Sequence, residues 1–595
     1  MNTKLKDIEV VDLQLPIVIG ITGHRDIKEE DISKLEEKIF EIYKSLIEKY
    51  PSTPLILLTP LADGADRLAA NVALNKFKGR ITVSVPLPFD VDSYKTTLGK
   101  KIDGITPEDS KEEFEILLDQ VNDQENQHIP KTIPMVFDDK KYTALNDDEK
   151  RRKKYSIVGE YIAIHSHILI ALWNECSEGK TGGTGEIVRK KLSGEYEHFK
   201  LSVEDVTYPE QGIVYHISTP RQSSEKIANP FSIRRLFPNN VVKEGLAKGN
   251  QRKINLFTQY HREIENFNKD VEKNYENISI AAKKDIKKFQ CNSDMLINKN
   301  IMLRRSAAYL ARDVYQKYMN RLEVLVILLT ALTIFLIGIK SNLPDILFHK
   351  YIDIVYIVFA LIIFLFLKYF NTYKEKHEDY RALAEGLRVQ TAWNMAKIND
   401  STALYYLSHQ KGELGWIRTA LRCVNVFHLP TDNKEKINVA LLNKYWIKEQ
   451  IDYFNKNIPE KQKQSVAIEK KIYFSIIVLV ISAIANGIIP FTDITTKLSP
   501  LFMNLTIADI SQVFFIILPL SYLSYLKSKQ LFDGNDELIR EYTLSLDIFE
   551  RADKLLKQED IDKQNVYKNL GIEALRENSS WIITRRTKEY TTPSN

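Results

Sequence analysis

Cysteine is scarce in this chain: Cys176, Cys291 and Cys423 are the only three in 595 residues, and no two lie close together. That spacing indicates neither a disulfide framework nor a zinc site. Charge of one sign is also lacking. Lys and Arg number 83 against 78 Asp and Glu, a formal net charge of +5. This bias is too slight for the basic stripe that nucleic-acid recognition needs, so no nucleic-acid partner is expected. The start, MNTKLKDIEVVDLQLPIVIG, has no signal-peptide pattern: its apolar stretch follows acidic residues and ends on Gly20. The soluble part is therefore expected in the cytoplasm.

What is present falls into two contrasting parts. The composition is 44% hydrophobic and 27% charged, but the charges sit outside four long apolar runs. Ahead of those runs, short β-branched segments alternate with helical patterns. Pro16 to Ile21 stops at Thr22-Gly23-His24-Arg25-Asp26, and Ile32, Leu35, Ile39, Ile42, Leu46 and Ile47 then recur at helical steps. Pro54 to Thr59 leads through Ala62-Asp63-Gly64-Ala65-Asp66-Arg67 into a second helical stretch. Arg80 to Pro86 is a third strand. Ile168 to Trp173 runs into Lys180-Thr181-Gly182-Gly183-Thr184-Gly185-Glu186, and Gly212 to Ile217 reads as a closing strand. Strands alternating with helices predict right-handed βαβ units and a parallel sheet.

Three of the strand–turn–helix junctions carry glycine: Gly23, Gly64, and the group Gly182, Gly183 and Gly185. In a parallel sheet such junctions share the edge where ligands bind. Glycine admits backbone N–H groups close to an anion, and a helix N-terminus adds positive partial charge. The pattern points to a cradle for a phosphate or ribose-phosphate. His24 reads as a phosphate contact or a solvated turn histidine. Asp66 reads as an acceptor for a ribose hydroxyl or as a helix cap. Arg67 reads as a bidentate phosphate partner or a surface residue, and Trp173 as a base-stacking ring or a core tryptophan. His165 and His167, with no nearby Cys or carboxylate set, read as non-metal histidines, and no metal site is expected.

Ile19-Gly20-Ile21-Thr22-Gly23-His24-Arg25, Leu61 to Ala69, Leu169 to Trp173 and Gly182 to Gly185 resemble the SLOG superfamily over residues 15–220. That superfamily is related to the LOG nucleotide hydrolases and the DprA DNA-processing proteins. The resemblance implies a Rossmann-like fold that binds nucleotides or nucleotide-derived signals. The expected ligand contacts are Gly20, Thr22, Gly23, His24, Arg25, Gly64, Asp66, Arg67, Trp173, Gly182, Gly183, Thr184, Gly185 and Glu186, with no cofactor beyond the signal itself. Hydrolytic LOG proteins resemble P-G-G-x-G-T-x-x-E. Here Glu186 stands where Thr belongs and Arg189 where the catalytic Glu belongs. The departure favours binding without turnover; in the alternative, a membrane-anchored hydrolase, Glu186 would serve as the acid/base group.

The four apolar runs are Val324 to Ile339, Ile354 to Leu367, Ile472 to Phe491 and Ile510 to Leu526. Each is near the roughly 17–25 residues that span hydrocarbon. Lys and Arg cluster before the first, after the second, before the third and after the fourth, while the intervening loops, about residues 340–351 and 492–505, hold few. By the positive-inside rule both termini face the cytoplasm. Polar residues within the runs include Ser475, Ser482, Asn486, Asp509, Gln512, Ser521 and Ser524, which bond neighbouring helices or line a path. The hairpin-plus-helix layout, with Tyr380 to Val389 and Glu573 to Trp581, is similar to the SLATT family over residues 295–585. That similarity implies a membrane effector proposed to assemble into pores in bacterial antiviral defence.

The expected fold is thus an α/β Rossmann-like parallel-sheet domain followed by an all-α membrane region with four transmembrane helices in two hairpins. The expected divisions are a nucleotide-binding domain (1–220), a helical connector (221–295), a first two-span module (296–400), a cytoplasmic helical segment (401–465) and a second two-span module (466–595). The expected function is a multi-pass sensor–effector of the bacterial inner membrane. It binds a small nucleotide-derived second messenger, works as a homo-oligomer and permeabilises the bilayer; a ligand-independent channel is a further alternative.

Overall fold

In a computed structural model of the chain, the described residues are 8–99, 106–125, 129–135, 137, 142–143, 145–175, 182–198, 211–222, 227, 229–238, 256–289, 295–342, 349–406, 414–427, 438–488 and 516–587. They form two units. One comprises Met1–Ala307, Ala382–Leu441 and Tyr567–Asn595; the other comprises Ala308–Arg381 and Leu442–Val566. Cys176, Cys291, Lys180 and Thr181 lie outside the described residues, as do Asp509, Gln512 and the loop at 492–505.

The first unit is built on a seven-stranded sheet of order β4-β3-β2-β1-β5-β6-β7. β1 (Ile17–Gly23), β2 (Leu55–Leu58), β3 (Ile81–Leu87), β4 (Thr132–Pro134), β5 (Ile168–Trp173) and β6 (Ile213–Ser218) run parallel. Helices cover the sheet, so β2 and most of β1 and β5 are buried on both faces. This is why they read as continuous apolar runs rather than alternating ones. Gly212 to Ile217 does not close the sheet. β7 (Ile233–Leu236) pairs antiparallel with β6, Val214 opposite Leu236.

Helices α1 (Ile32–Lys49), α2 (Ala65–Lys76), α3 (Val91–Lys95), α4 (Pro107–Asn122), α5 (Asp147–His165) and α6 (Thr184–Ser193) connect the strands. α5 starts at a capping box: Glu149 N–H donates to Asn146 Oδ1 (2.9 Å) and Asn146 N–H to Glu149 Oε2 (3.0 Å). Gly20 lies mid-strand in β1, where an added Cβ would come within 2.6 Å of Ile162 on α5. Its role is close helix–strand packing, away from the ligand edge.

Further helices brace the N-terminal edge of the sheet. These are α7 (Leu256–Lys273), α8 (Tyr275–Phe289) and α9 (Met295–Tyr309). Asn268 of α7 bonds both the N–H and the carbonyl of Leu15, each at 2.8 Å, just before β1. Glu265 accepts from Thr53 Oγ1 (2.7 Å) just before β2. His167 Nδ1 accepts from Val18 N–H (3.0 Å), holding the start of β1. Lys191 of α6 is buried and donates to the carbonyls of Ala163 and Ser166 at the end of α5. α12 (Gly415–Val424) packs nearby: His165 Nδ1 lies 3.0 Å from Arg422 O, and Tyr161 Oη donates to Val426 O at 2.9 Å.

The second unit is helical. A π-helical segment, Leu310–Tyr315, opens into α10 (Gln316–Asn342). α11 (His349–Met395) gives its residues up to Arg381 to this unit and the remainder to the first. A second π-helical segment, Asn443–Lys448, opens into α13 (Glu449–Ile488). α14 (Leu518–Asp533) and α15 (Asn535–Leu556) follow; α16 (Lys563–Thr587), which ends the described chain, belongs to the first unit from Tyr567 on. The first two apolar runs lie on α10 and α11; the third lies on α13 as far as Ile488, and the fourth on α14 from Leu518 onward. Among the described residues one helical stretch, Ile357–Met395, is long and apolar enough to cross a membrane, and 6% of its apolar window is buried. Ser475 and Ser521 hydroxyls bond back to the carbonyls of Lys471 and Ile517 within their own helices. The amphipathic pattern at 441–453 is helical: Leu442, Tyr445 and Trp446 are buried, and Trp446 packs edge-on against Phe549.

Candidate ligand site at the β1/β5 crevice

The chain winds outward from β1 to β4 and then returns to place β5 on the other side of β1. This reversal makes the C-terminal ends of β1 and β5 a topological switch point, where open α/β sheets bind ligands. Thr22 and Gly23 end β1 opposite Ala171 and Leu172. His24 continues the ladder, its N–H donating to Leu172 O at 3.1 Å.

His24 is 8% exposed. Its Nε2 lies 3.0 Å from both the backbone N–H and the side-chain Oδ1 of Asn174, a donor and an acceptor, so its contact with Asn174 fits either ring tautomer. Burial, with Arg221 adding a like charge, lowers the His24 pKa from 6.5 to about 4. At neutral pH the ring is therefore an uncharged donor rather than a cation. Asp26, in the same turn, accepts from Arg221 Nε at 2.8 and 3.1 Å, which ties this turn to the end of β6.

The β2–α2 turn lies against the β1 turn. Gly64 has φ +78°, and an added Cβ would sit 2.5 Å from His24 O and 2.6 Å from Arg25 O. A side chain there meets both backbone strain and collision. Ala65 N–H donates to His24 O at 3.0 Å, and Gly23 leaves the room that Ala65 fills. Gly64, not Asp66, occupies the cap position of α2. Asp66 follows in the first turn, 8% exposed, and its Oδ1 is buried with no hydrogen-bond partner among the described residues. Burial raises its pKa from 3.8 to about 7, opposed by the charges of Arg25 and Arg67.

Arg25 keeps an exposed side chain, its guanidinium 5.1 Å over the Tyr155 ring of α5. Arg67 is placed differently. It is 2% exposed and donates to Leu61 O, Glu113 (2.6 Å) and Ser110, with Asp63 at 3.0 Å. Its guanidinium holds α2, α4 and the β2 turn together, which sets it apart from the surface and phosphate roles read from sequence. Trp173, half-buried, ends β5 edge-on to His216 at 5.8 Å, and its carbonyl accepts from His216 Nε2 at 2.8 Å.

The third glycine group forms the N-terminus of α6. Gly182 has φ +79°, Gly183 is the cap residue, and Thr184, Gly185 and Glu186 begin the helix. Glu186 Oε2 accepts from Gly182 N–H at 2.5 Å, and its other oxygen pairs with Lys190. Lys190 also pairs with buried Glu160 at 2.6 Å. Glu186 thus serves as a local cap and ion-pair partner. Arg189 is exposed.

The structure brings together Gly23, His24, Arg25, Gly64 and Asp66 and sets Trp173 beside them, while Gly20 and Arg67 serve packing. Asn174, Tyr155 and Arg221 were not legible as site residues. Asn174 offered a signal, a polar residue directly after a strand. Tyr155 offered none, because the charged first half of α5 hides its periodicity. A separate cluster, Glu160, Glu197 and His198, has metal-ligating atoms within 4.8 Å of one another. Yet Glu160 already accepts from Lys190 and from the N–H groups of Glu197 (3.1 Å) and His198 (2.8 Å), and these donors hold its pKa down at about 2 against the effect of burial. A carboxylate so saturated, beside a lysine, is a structural anchor.

No family model matches the chain, and no curated protein matches it.

Proposed function

We propose that this chain is a membrane-embedded sensor–effector. The β1/β5 crevice binds a nucleotide-derived, phosphorylated signal. Binding favours a homo-oligomer that permeabilises the bacterial inner membrane in antiphage defence. The sensing half rests on one observation: the His24 turn and the Gly64 turn lock together at the switch point of the sheet, with Arg25 exposed beside them. Arg25 and the neutral His24 ring suit an anionic oxygen, and the unbonded Oδ1 of Asp66 suits a hydroxyl close by. The motif resemblance to SLOG and SLATT proteins supports the same assignment. The commitment of Glu186 to Gly182 and Lys190 favours binding over turnover.

The membrane half is supported by large apolar side chains that point outward from α10, α11, α13 and α14, among them Leu328, Phe364 (66% exposed), Phe474 (68%) and Leu520. Contiguous apolar surface of this kind marks a lipid or protein contact. These helices cross as two hairpins, with both termini in the cytoplasm. A signal shifts the assembly only by binding its active form more tightly.

Calorimetry on the full chain in detergent tests the sensing half. Titration with ADP-ribose, its cyclic form and cyclic oligonucleotides is expected to give saturable heat for at least one compound; silence across the panel overturns it. Release of the chain from membranes by alkaline carbonate overturns the membrane half.

A further inference from the structure

The helix ends of the second unit repeat one arrangement. On α10 the exposed Lys317, Tyr318 and Arg321 directly precede the exposed apolar Val324 and Leu325. On α13 the exposed Lys470 and Lys471 directly precede Tyr473 and Phe474. α11 and α14 show the same order in reverse. Exposed Phe364 and Leu365 lead to Lys368 and Tyr369, and exposed Leu520 and Tyr522 lead to Lys527.

These four ends share one level within the unit. Lys529 of α14 lies 3.6 Å from Glu323 of α10. Leu526 of α14 packs against Ile468 and Ile472 of α13. Tyr318 of α10 stacks on Tyr373 of α11, with ring centroids 5.4 Å apart. The cations and rings therefore form a collar at the border where outward apolar surface begins. Acidic groups are sparser there: Glu323 faces Lys529, Asp313 lies 3.4 Å from Lys317, and Glu469 adjoins Lys470. Aromatic rings favour the headgroup level of a bilayer, and lysines and arginines near that level are drawn to anionic lipid.

We propose that this collar binds the anionic headgroups of phospholipids such as phosphatidylglycerol, on the leaflet that meets the Lys- and Arg-rich helix ends. The inference rests on the reading that these helices span a bilayer. It adds lipid charge as a requirement that a purely apolar span does not have.

The test uses the full chain, purified in a neutral detergent. Thermal unfolding is followed as phosphatidylglycerol or phosphatidylcholine is added to the micelles. Phosphatidylglycerol is expected to raise the midpoint at concentrations at least roughly tenfold below those needed with phosphatidylcholine, given several cations near the surface. High salt should erase the difference. The combined variant Arg321→Gln, Lys470→Gln, Lys471→Gln and Lys527→Gln should lose the preference while keeping its response to phosphatidylcholine. Equal response of the unaltered chain to both lipids overturns the proposal, and so does a preference that high salt leaves intact; both outcomes are read without the variant. A chain that resists carbonate extraction yet shows no preference sinks this inference alone, whereas one released by carbonate sinks the spanning reading beneath it.

Discussion

Leu57 and Phe364 are both large apolar residues in regular structure, yet the first is 0% and the second 66% exposed. The difference separates the two units. In the sheet unit apolar side chains turn inward and water drives their burial. In the helical unit they turn outward over several turns on α10, α11, α13 and α14, which water would penalise and lipid would not. On the proposed membrane reading each unit is packed for a different solvent, and the polar groups follow suit. In the sheet unit buried polar side chains clamp strand ends, as Asn268 does at Leu15. In the apolar helices Ser475 and Ser521 satisfy themselves on their own helix.

The largest test of this contrast is paired truncation. Leu57→Ala should cost roughly 2–5 kcal/mol, the usual range for a buried leucine. Phe364→Ala should change detergent-solubilised stability by less than about 1 kcal/mol, since exposed sites contribute little. Thermal melts of the two full-length variants check the pair, and equal losses would break the comparison. Ile477→Arg on α13 places a charge in the apolar run and should cost roughly 2.5–3.5 kcal/mol of insertion. An insertion assay with glycosylation reporters measures it, and unchanged insertion would argue that α13 does not enter lipid.

Next comes a pH effect confined to the sheet unit. The folded chain holds the Asp66 proton more tightly than the unfolded chain, with a pKa of about 7 against 3.8. The stability this group contributes is full below 3.8 and lost as pH rises through 7. Asp66→Asn should therefore gain on the unaltered protein between pH 4 and 7, by roughly 4 kcal/mol at the plateau. His24 acts oppositely. Its pKa is lowered to about 4, so its contribution is complete above 6.5 and lost as pH falls towards 4. Melts of the variant and the unaltered chain across that range isolate the contribution of Asp66, and parallel curves would refute it. The smallest effect is expected of Glu186→Gln: about 1 kcal/mol lost with the cap and ion pair, and unchanged nucleotide heat in calorimetry. Loss of an enzymatic turnover in that variant would instead revive the hydrolase reading.

Much of the first unit was legible because β-branched runs ending in glycine turns carry a local signal. β1, β2, β3 and β5, with α1 and α2, fall where periodicity and turn chemistry place them. β4, α5 and β7 did not show: β4 is three residues long, α5 opens with a run of charges, and β7 lies beyond the expected domain end. The candidate site was legible in part. The glycine turns were readable because Gly64 needs a positive φ and a close approach. Which polar side chains stay available was not, because that depends on partners distant in sequence. Arg67 is held by Glu113 and Ser110, and Asp26 by Arg221.

By itself the sequence determined the alternation of strand and helix, the glycine junctions and the placing of the long apolar runs, because each is a property of neighbouring residues. Only the tertiary structure decided the strand order that sets β5 beside β1, the antiparallel edge at β7, the neutral ring at His24 and the unbonded Oδ1 of Asp66. Those depend on pairings and burial between segments far apart in the chain, and desolvation acts on a side chain only once distant residues have closed over it.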